Sequence, residues 1–311
     1  MTILELIEAS AQQLTESGVA FGHGTSNAFD EAAWLVLWQL GLPLDSPLEG
    51  TENDPELVTN RAVTPVEQAQ VAALLIARIT SRKPAAYLTH EAWLQGVAFY
   101  VDERVIVPRS LIAELLVNGG IDPWLGEHTR CVLDLCTGNG SLAIHAAMAF
   151  PDVVVAASDL SADALAVAQI NIDKHALADR ITLFESDGLA SPALQARGPF
   201  DLILCNPPYV NAQSMASLPP EYHAEPALAL DGNRSGGTDG MDFIRALLHG
   251  ADAQMSEHAV LVLEIGHERD HFLAAFPKLE AVWLQTQTTD DQVLLLTREA
   301  LQEFYQNSSK N

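Results

Sequence analysis

From residue 129 onward the chain alternates short apolar runs with amphipathic stretches of helical length, and this limits the fold more than any other feature. Strands are expected near 131–135, 153–158, 181–184, 200–205, 259–264, 282–286 and 291–296. Helices are expected near 140–149, 161–175, 241–255 and 267–275. Repeated strand–helix units imply a mostly parallel sheet covered by helices on both faces. The last two strands are joined by only a short connection (about 287–290), too short for a crossover helix, so they should run antiparallel.

The N-terminal third has a different pattern. Ile3, Leu4 and Ile7, then Ala33, Val36, Leu37 and Leu40, give helical apolar spacing over 3–17 and 27–40. Gly22 to Asn27 separates these helices and ends in good capping residues, and a third helix should run from Pro65 to about Arg82. Residues 41–55 are rich in Pro, Gly and Asp and read as a loop. Val97–Val101 and Arg104–Val107, split by Asp102-Glu103, read as a β-hairpin. The expected division is a small helical domain over 1–92, a hairpin linker over 93–110 and the larger α/β domain over 111–311.

Two local motifs carry chemistry. The apolar run Phe200–Cys205 leads into Asn206-Pro207-Pro208-Tyr209. Prolines fix φ and lack a backbone N–H, so the loop is stiff and its carbonyls can point into a cavity. The Asn206 side-chain oxygen and a proline carbonyl can each accept one hydrogen from a planar NH2 group, and Tyr209 can cover its flat face. These residues (Asn206, Pro207, Pro208 and Tyr209) are the candidate catalytic and substrate-binding set. The competing reading is an ordinary proline-rich turn.

The second motif is Val132-Leu133-Asp134-Leu135-Cys136-Thr137-Gly138-Asn139-Gly140-Ser141, a strand exit that opens a helix. Small residues there let the backbone approach a ligand, and the helix N-terminus offers free N–H groups. Nicotinamide enzymes use a similar turn. Two further features favour a sulfonium cofactor over a diphosphate. Asp134 precedes the glycines, where a carboxylate would favour a cationic methionine ammonium. Asp159 ends the second strand, placed to bind ribose hydroxyls. Asp187, after the third strand, suits a hydrogen bond to an adenine amino group, and a turn-capping role is the alternative. S-adenosylmethionine is the expected cofactor, held by Asp134, Gly138, Gly140, Asp159, Asp187 and Asn206. Cys136 stands where a first glycine often stands. Cys136 and Cys205 should lie at the ends of neighbouring strands as small buried fillers.

Charge narrows the partners. Residues 1–110 carry 6 basic and 14 acidic side chains and residues 111–311 carry 10 and 27, so both parts are acidic and the net charge is −25. Nucleic-acid binders usually need a positive face, so direct nucleic-acid binding is not expected. An acidic surface attracts basic proteins and speeds encounter with them. The three cysteines match no zinc spacing and argue against a disulfide framework. With no apolar run near 18 residues and an N-terminus unlike a signal peptide, a cytoplasmic location is expected.

Val105-Ile106-Val107-Pro108-Arg109-Ser110, Asp134 to Gly140, Asn206 to Tyr209, Glu225-Pro226 and Gly236-Gly237-Thr238-Asp239-Gly240 occur in this order along the chain. In this it resembles the HemK/PrmB group of protein glutamine methyltransferases. The resemblance implies a class I, Rossmann-like, seven-stranded methyltransferase domain with a small helical N-terminal domain and a linking hairpin. It also implies S-adenosylmethionine as methyl donor and a side-chain amide nitrogen as acceptor. One branch of the group acts on the Gly-Gly-Gln loop of release factors, the other on the large-subunit ribosomal protein L-three. Gly22-His23-Gly24-Thr25, Ala85-Ala86-Tyr87-Leu88-Thr89, Tyr100 to Arg104 and Cys136-Thr137-Gly138 are more similar to the second branch. A DNA adenine amino-methyltransferase and a non-catalytic cofactor-binding module are the other readings. For Arg109 and Glu225 the resemblance implies no direct role, and a structural ion pair is an equal reading.

Overall fold

A computed structural model describes residues 1–48 and 57–308. Of the loop expected over 41–55, residues 49–55 lie outside the described residues. The chain divides into two compact units: Met1–Ala92 with Leu218–Ala224, and Trp93–Ser217 with Glu225–Asn311.

The first unit is helical, with α1 (Ile3–Glu16), α2 (Ala28–Gln39), α3 (Pro65–Ser81) and α4 (Ala85–Thr89). Local chemistry sets their starts. Thr2 with Glu5 and Thr64 with Glu67 form reciprocal capping boxes, Pro65 opens α3, and Asn27 accepts from the Asp30 N–H. The five-residue α4 is too short for periodicity to reveal. Ile3, Ile7, Leu14, Leu35, Val36, Val71 and Leu75 form the core. Arg78 is also fully buried there, with Nε 2.8 Å from Glu31 Oε1 and Nη2 2.8 Å from the Ala20 carbonyl. Glu221 faces both Arg78 (3.4 Å) and Arg82 (2.7 Å), which brings Leu218–Ala224 into this unit.

The second unit starts at Trp93, within the hairpin of β1 (Ala92–Leu94) and β2 (Val97–Phe99), which is followed by α5 (Leu111–Asn118). The hairpin lies earlier than the apolar pattern suggested. Its turn is Gln95-Gly96, with φ of +46° and +76°, the pair of positive values that suits a two-residue hairpin turn. Residues 104–107 form no strand. Asp102 instead accepts from the Arg104 backbone N–H at 3.1 Å, takes the Arg104 guanidinium and receives the Tyr100 hydroxyl. That local turn replaces a ladder.

The main sheet holds β3 (Cys131–Leu135), β4 (Val154–Asp159), β5 (Ile181–Glu185), β6 (Phe200–Cys205), β7 (Met255–Glu264), β8 (Val282–Leu284) and β9 (Val293–Thr297). Its order is β5-β4-β3-β6-β7-β9-β8, parallel as far as β7, with β9 antiparallel to both β7 and β8. All seven expected strands are present, and the short last connection has the orientation argued from its length. Crossovers include α6 (Ser141–Ala149), α7 (Ala162–Lys174), α8 (Pro192–Gln195) and α9 (Ala212–Ala216). α10 (Asp242–Ala251), α11 (Arg269–Ala275) and α12 (Arg298–Ser308) complete the layers. Side chains alternate between faces. Val132, Leu202, Leu204, Val260 and Val262 pack under α5 and α6, while Leu133, Leu135, Ile203, Leu261 and Leu263 pack under α10 to α12. Strand order reverses beside β3, so the carboxyl ends of β3 and β6 open a crevice where such sheets bind ligands. Among the described residues, no helix is long and apolar enough to cross a membrane.

Candidate active site

A cleft lies at those carboxyl ends. It encloses about 950 Å³, open solvent at its mouth included. Its walls are the exits of β3 (Leu135–Asn139), β4 (Asp159–Ser161), β5 (Ser186–Gly188) and β6 (Asn206, Pro208), together with Arg104–Ile106, Pro108–Ser110 and the turn at Pro226–Ala229.

The β3 exit turns sharply. Cys136, Gly138 and Gly140 have φ of +62°, +55° and +82°. Cys136 thus holds a left-handed conformation without glycine's freedom. The Cys205 thiol hydrogen-bonded to it, and then burial, push the Cys136 thiol well above its usual range. The two glycines differ in role. Gly138 lines the cleft, and a Cβ there would meet no atom within 4 Å. Gly140 lies outside the lining, and a Cβ there would sit 3.2 Å from that of Ala168, so its smallness serves the approach of α6 to α7.

The acidic residues also separate. Asp159 lines the cleft, accepts from the Gly138 N–H and the Ser161 N–H at 2.9 Å each, and is raised in pKa by burial. Asp187 lines it with a side chain 65% exposed, 3.7 Å from Arg234. Asp134 is fully buried behind the wall, outside the lining. Its Oδ2 accepts from Thr137 Oγ1 at 2.5 Å and the Ala143 N–H at 2.9 Å. Among the described residues its Oδ1 has no hydrogen-bond partner. Burial first, with the Asp159 charge adding, raises its pKa to about 7.

Asn206 and Pro208 line the cleft, and among the described residues the Asn206 carboxamide has no hydrogen-bond partner. Pro207 is buried outside the lining. Tyr209 is also outside it. Its ring lies on Gly266, where a Cβ would meet Cε2 at 2.5 Å, and burial raises its hydroxyl pKa. The structure does not put the Tyr209 ring over the cleft beside Asn206.

Further residues brace the site, and for Arg109 and Glu225 the ion-pair reading given as the alternative is the one the structure shows. Glu225 takes Arg109 through two bonds of 2.7 Å and the Val107 N–H at 2.9 Å. Both residues stand in motifs already singled out, and their opposite charges were the available signal. Glu264, at the end of β7, accepts from Ser110 Oγ at 2.5 Å and the Leu111 N–H at 2.9 Å, and burial raises its pKa to about 7. The glycine-rich segment 232–240 supports the Asn206 loop. Gly232 N–H donates to the Val210 carbonyl, Ala212 N–H to Thr238, and Asn233 Nδ2 to Val210. A Cβ at Gly240 would collide with the Tyr209 carbonyl.

Residues 113–219 match the family described as methyltransferase small domain. A ribosomal protein uL3 glutamine methyltransferase of Bordetella pertussis is 52% identical over 302 residues, 96% of each chain. Proteins of the same name from Burkholderia pseudomallei and Neisseria gonorrhoeae are 48% and 45% identical, covering 95% and 96% of this chain and 94% and 95% of their own. The chain belongs to the uL3 glutamine methyltransferase family. The catalytic domain of hMettl16, solved with a MAT2A 3′UTR hairpin, superimposes with a TM-score of 0.47 at 13% identity over 75% of this chain and 81% of that one. The second branch of the HemK/PrmB group, expected from motifs, is the one whose target these sequence relatives' names carry, and the seven-stranded sheet expected with it is present. In this family setting the site pairs a glycine turn and two cleft acids with a carboxamide, unpartnered among the described residues, at the exit of β6, the strand beside β3. That arrangement can cradle a polar cofactor and present an acceptor to an NH2 group beside it.

Proposed function

We propose that this chain transfers a methyl group from S-adenosylmethionine to the side-chain amide nitrogen of a glutamine in ribosomal protein uL3. The observation that carries the reading is Asn206, which lines the cleft and whose carboxamide has no hydrogen-bond partner among the described residues. The cleft suits the methyl donor on its own chemistry. Gly138 leaves open space at the wall, Asp159 and Asp187 offer carboxylates to hydroxyl and amino donors, and Asp134 Oδ1, without a hydrogen-bond partner among the described residues, leaves a polar atom unsatisfied behind the turn. Gly138, Asp159 and Asp187 would hold the donor. When bound, it supplies a methyl group already activated on a sulfonium.

The protein's own task is placement. An amide nitrogen is a weak nucleophile because its lone pair is delocalised into the carbonyl. In this reading Asn206 Oδ1 accepts one amide N–H and a proline carbonyl of the same loop, whose Pro208 lines the cleft, accepts the other. Positive charge building on the nitrogen makes both N–H groups better donors, so the acceptors bind the transition state more tightly than the ground state. Orientation of this kind contributes up to roughly 7–11 kcal/mol in ideal systems. The proton leaves to water. The acidic surface suits a basic ribosomal protein, and the helical unit is the proposed site of target choice.

The test incubates the enzyme with methyl-labelled S-adenosylmethionine and, in parallel, uL3, a release factor and duplex DNA. Label on a glutamine of uL3, mapped by mass spectrometry, is the expected result. Label on the release factor or DNA with uL3 unmodified overturns the proposal.

A further inference from the structure

The cleft wall Tyr100–Ser110 forms neither helix nor strand beyond the end of β2, yet it supplies Arg104, Val105, Ile106, Pro108, Arg109 and Ser110 to the lining. Backbone without a ladder has to satisfy its polar groups elsewhere. Glu225 serves the middle of the segment and Glu264 its end. Its beginning is served by Asn171 on α7, which is 0% exposed. Asn171 Oδ1 accepts from the Tyr100 N–H at 2.7 Å. Its Nδ2 donates to the Tyr100 carbonyl at 3.0 Å and to the Asn139 carbonyl at 2.9 Å.

Both Nδ2 hydrogens and the amide oxygen are therefore used, and the three partners come from the Gly138 turn and from the residue that precedes the Arg104–Ser110 wall. Asn139 belongs to the turn that carries Gly138, while Tyr100 lies outside the lining and starts the segment that supplies Arg104 to Ser110 to it. A purely structural asparagine would tie one loop to its own helix. This one sets the distance between two loops that both face the ligand space. The same planar group contacts both segments, so displacement of one is transmitted to the other.

We propose that Asn171 is a positioning residue for the methyl-donor site, holding the Tyr100–Ser110 wall in register with the Gly138 turn. This rests on the reading of the cleft as the S-adenosylmethionine site. Asn171→Asp keeps the acceptor for Tyr100 N–H and replaces the NH2 donor with oxygen facing two carbonyls. Calorimetric titration of wild type with S-adenosylmethionine comes first, and absence of binding there would defeat the cofactor reading itself. With wild-type binding established, N171D should raise the donor Kd and KM at least tenfold while the KM for uL3 stays within twofold. A general loss of packing would not produce that split. Donor affinity within twofold of wild type in folded N171D overturns the proposal. If N171D fails to fold, Asn171→Ala is read by the same criterion. Hydrogen exchange of the wild type gives a check independent of any variant. Donor binding should protect 100–109 and 137–141 together, and protection of one segment without the other overturns the coupling.

Discussion

Arg109 and Glu225 stand 116 residues apart and meet through two parallel N–H···O bonds of 2.7 Å each, with the Glu225 side chain wholly inaccessible and that of Arg109 28% exposed. The forked geometry matches guanidinium to carboxylate on both edges. Glu225 also holds the Val107 N–H, so one buried carboxylate fixes the Val107–Arg109 wall of the cleft. The two motifs that the sequence presents separately are one structural device.

Arg109→Ala would leave Glu225 buried without its counter-charge. Breaking a buried pair from one side costs about 3–5 kcal/mol. Arg109→Lys loses the fork and should also destabilise, by less. Urea unfolding of R109A, E225Q and the double variant gives the coupling energy, which should be favourable by more than about 1 kcal/mol. Strict additivity would mean that the pair does not act as a unit.

Asn206→Ala removes one of the two acceptors assigned to the glutamine amide. By analogy with loss of one group that stabilises transition-state charge, turnover should fall about 100–1,000-fold. The donor Kd should stay within about threefold, because Asp159 and the Gly138 turn are untouched. Single-turnover kinetics with calorimetry separates the two quantities. Near-wild-type turnover would show that the carboxamide does not act on the substrate nitrogen.

Asp159→Ala should show the reverse order of effects. It deletes a cleft carboxylate that also braces Gly138 and Ser161. Losing hydrogen bonds to a charged group, about 1.5–3 kcal/mol, corresponds to a rise of roughly 10–100-fold in donor Kd. Equilibrium dialysis measures it, and an unchanged Kd would count against the assignment.

Stability should fall as pH rises toward neutrality. Asp134 and Glu264 have ordinary pKa values of 3.8 and 4.5, and burial raises each to about 7 in the folded protein. Between those limits the folded state holds protons that the unfolded chain has released. Their contribution is therefore fully present below about pH 4 and is lost as pH climbs through 7. Burial pushes Glu31 and Asp159 in the same direction. Each fully responding group contributes a slope of up to about 1.4 kcal/mol per pH unit. Unfolding free energies from pH 5 to 8 should show the decline, and Asp134→Asn or Glu264→Gln should flatten it. A rising profile unchanged by either variant would contradict the assignment.

Gly240→Ala places a Cβ against the Tyr209 carbonyl at a backbone φ of +77°. Left-handed backbone alone costs an L-residue about 1–2 kcal/mol, and the collision adds to that. The variant should lose more than about 2 kcal/mol in unfolding free energy and more turnover than donor affinity. Thermal unfolding and steady-state kinetics check both.

What the sequence by itself determined is local in origin. The capping residues that end Gly22–Asn27, the strand–helix alternation after residue 129, the antiparallel end of the sheet and the exits of β3 and β6 were all legible. Each depends on residues within a few turns of one another. The hairpin was misplaced because apolar spacing outweighed the Gln95-Gly96 turn and the side-chain chemistry of Asp102. Other features were decided only by tertiary packing. Asp134 came to lie behind the wall, the Tyr209 ring lay down on Gly266, Arg109 found Glu225, and Asn171 joined two loops. Bonds between residues 71 to 154 positions apart, such as Tyr100 with Asn171 and Ser110 with Glu264, leave no trace in spacing. Their partners are set by where the strands end in space.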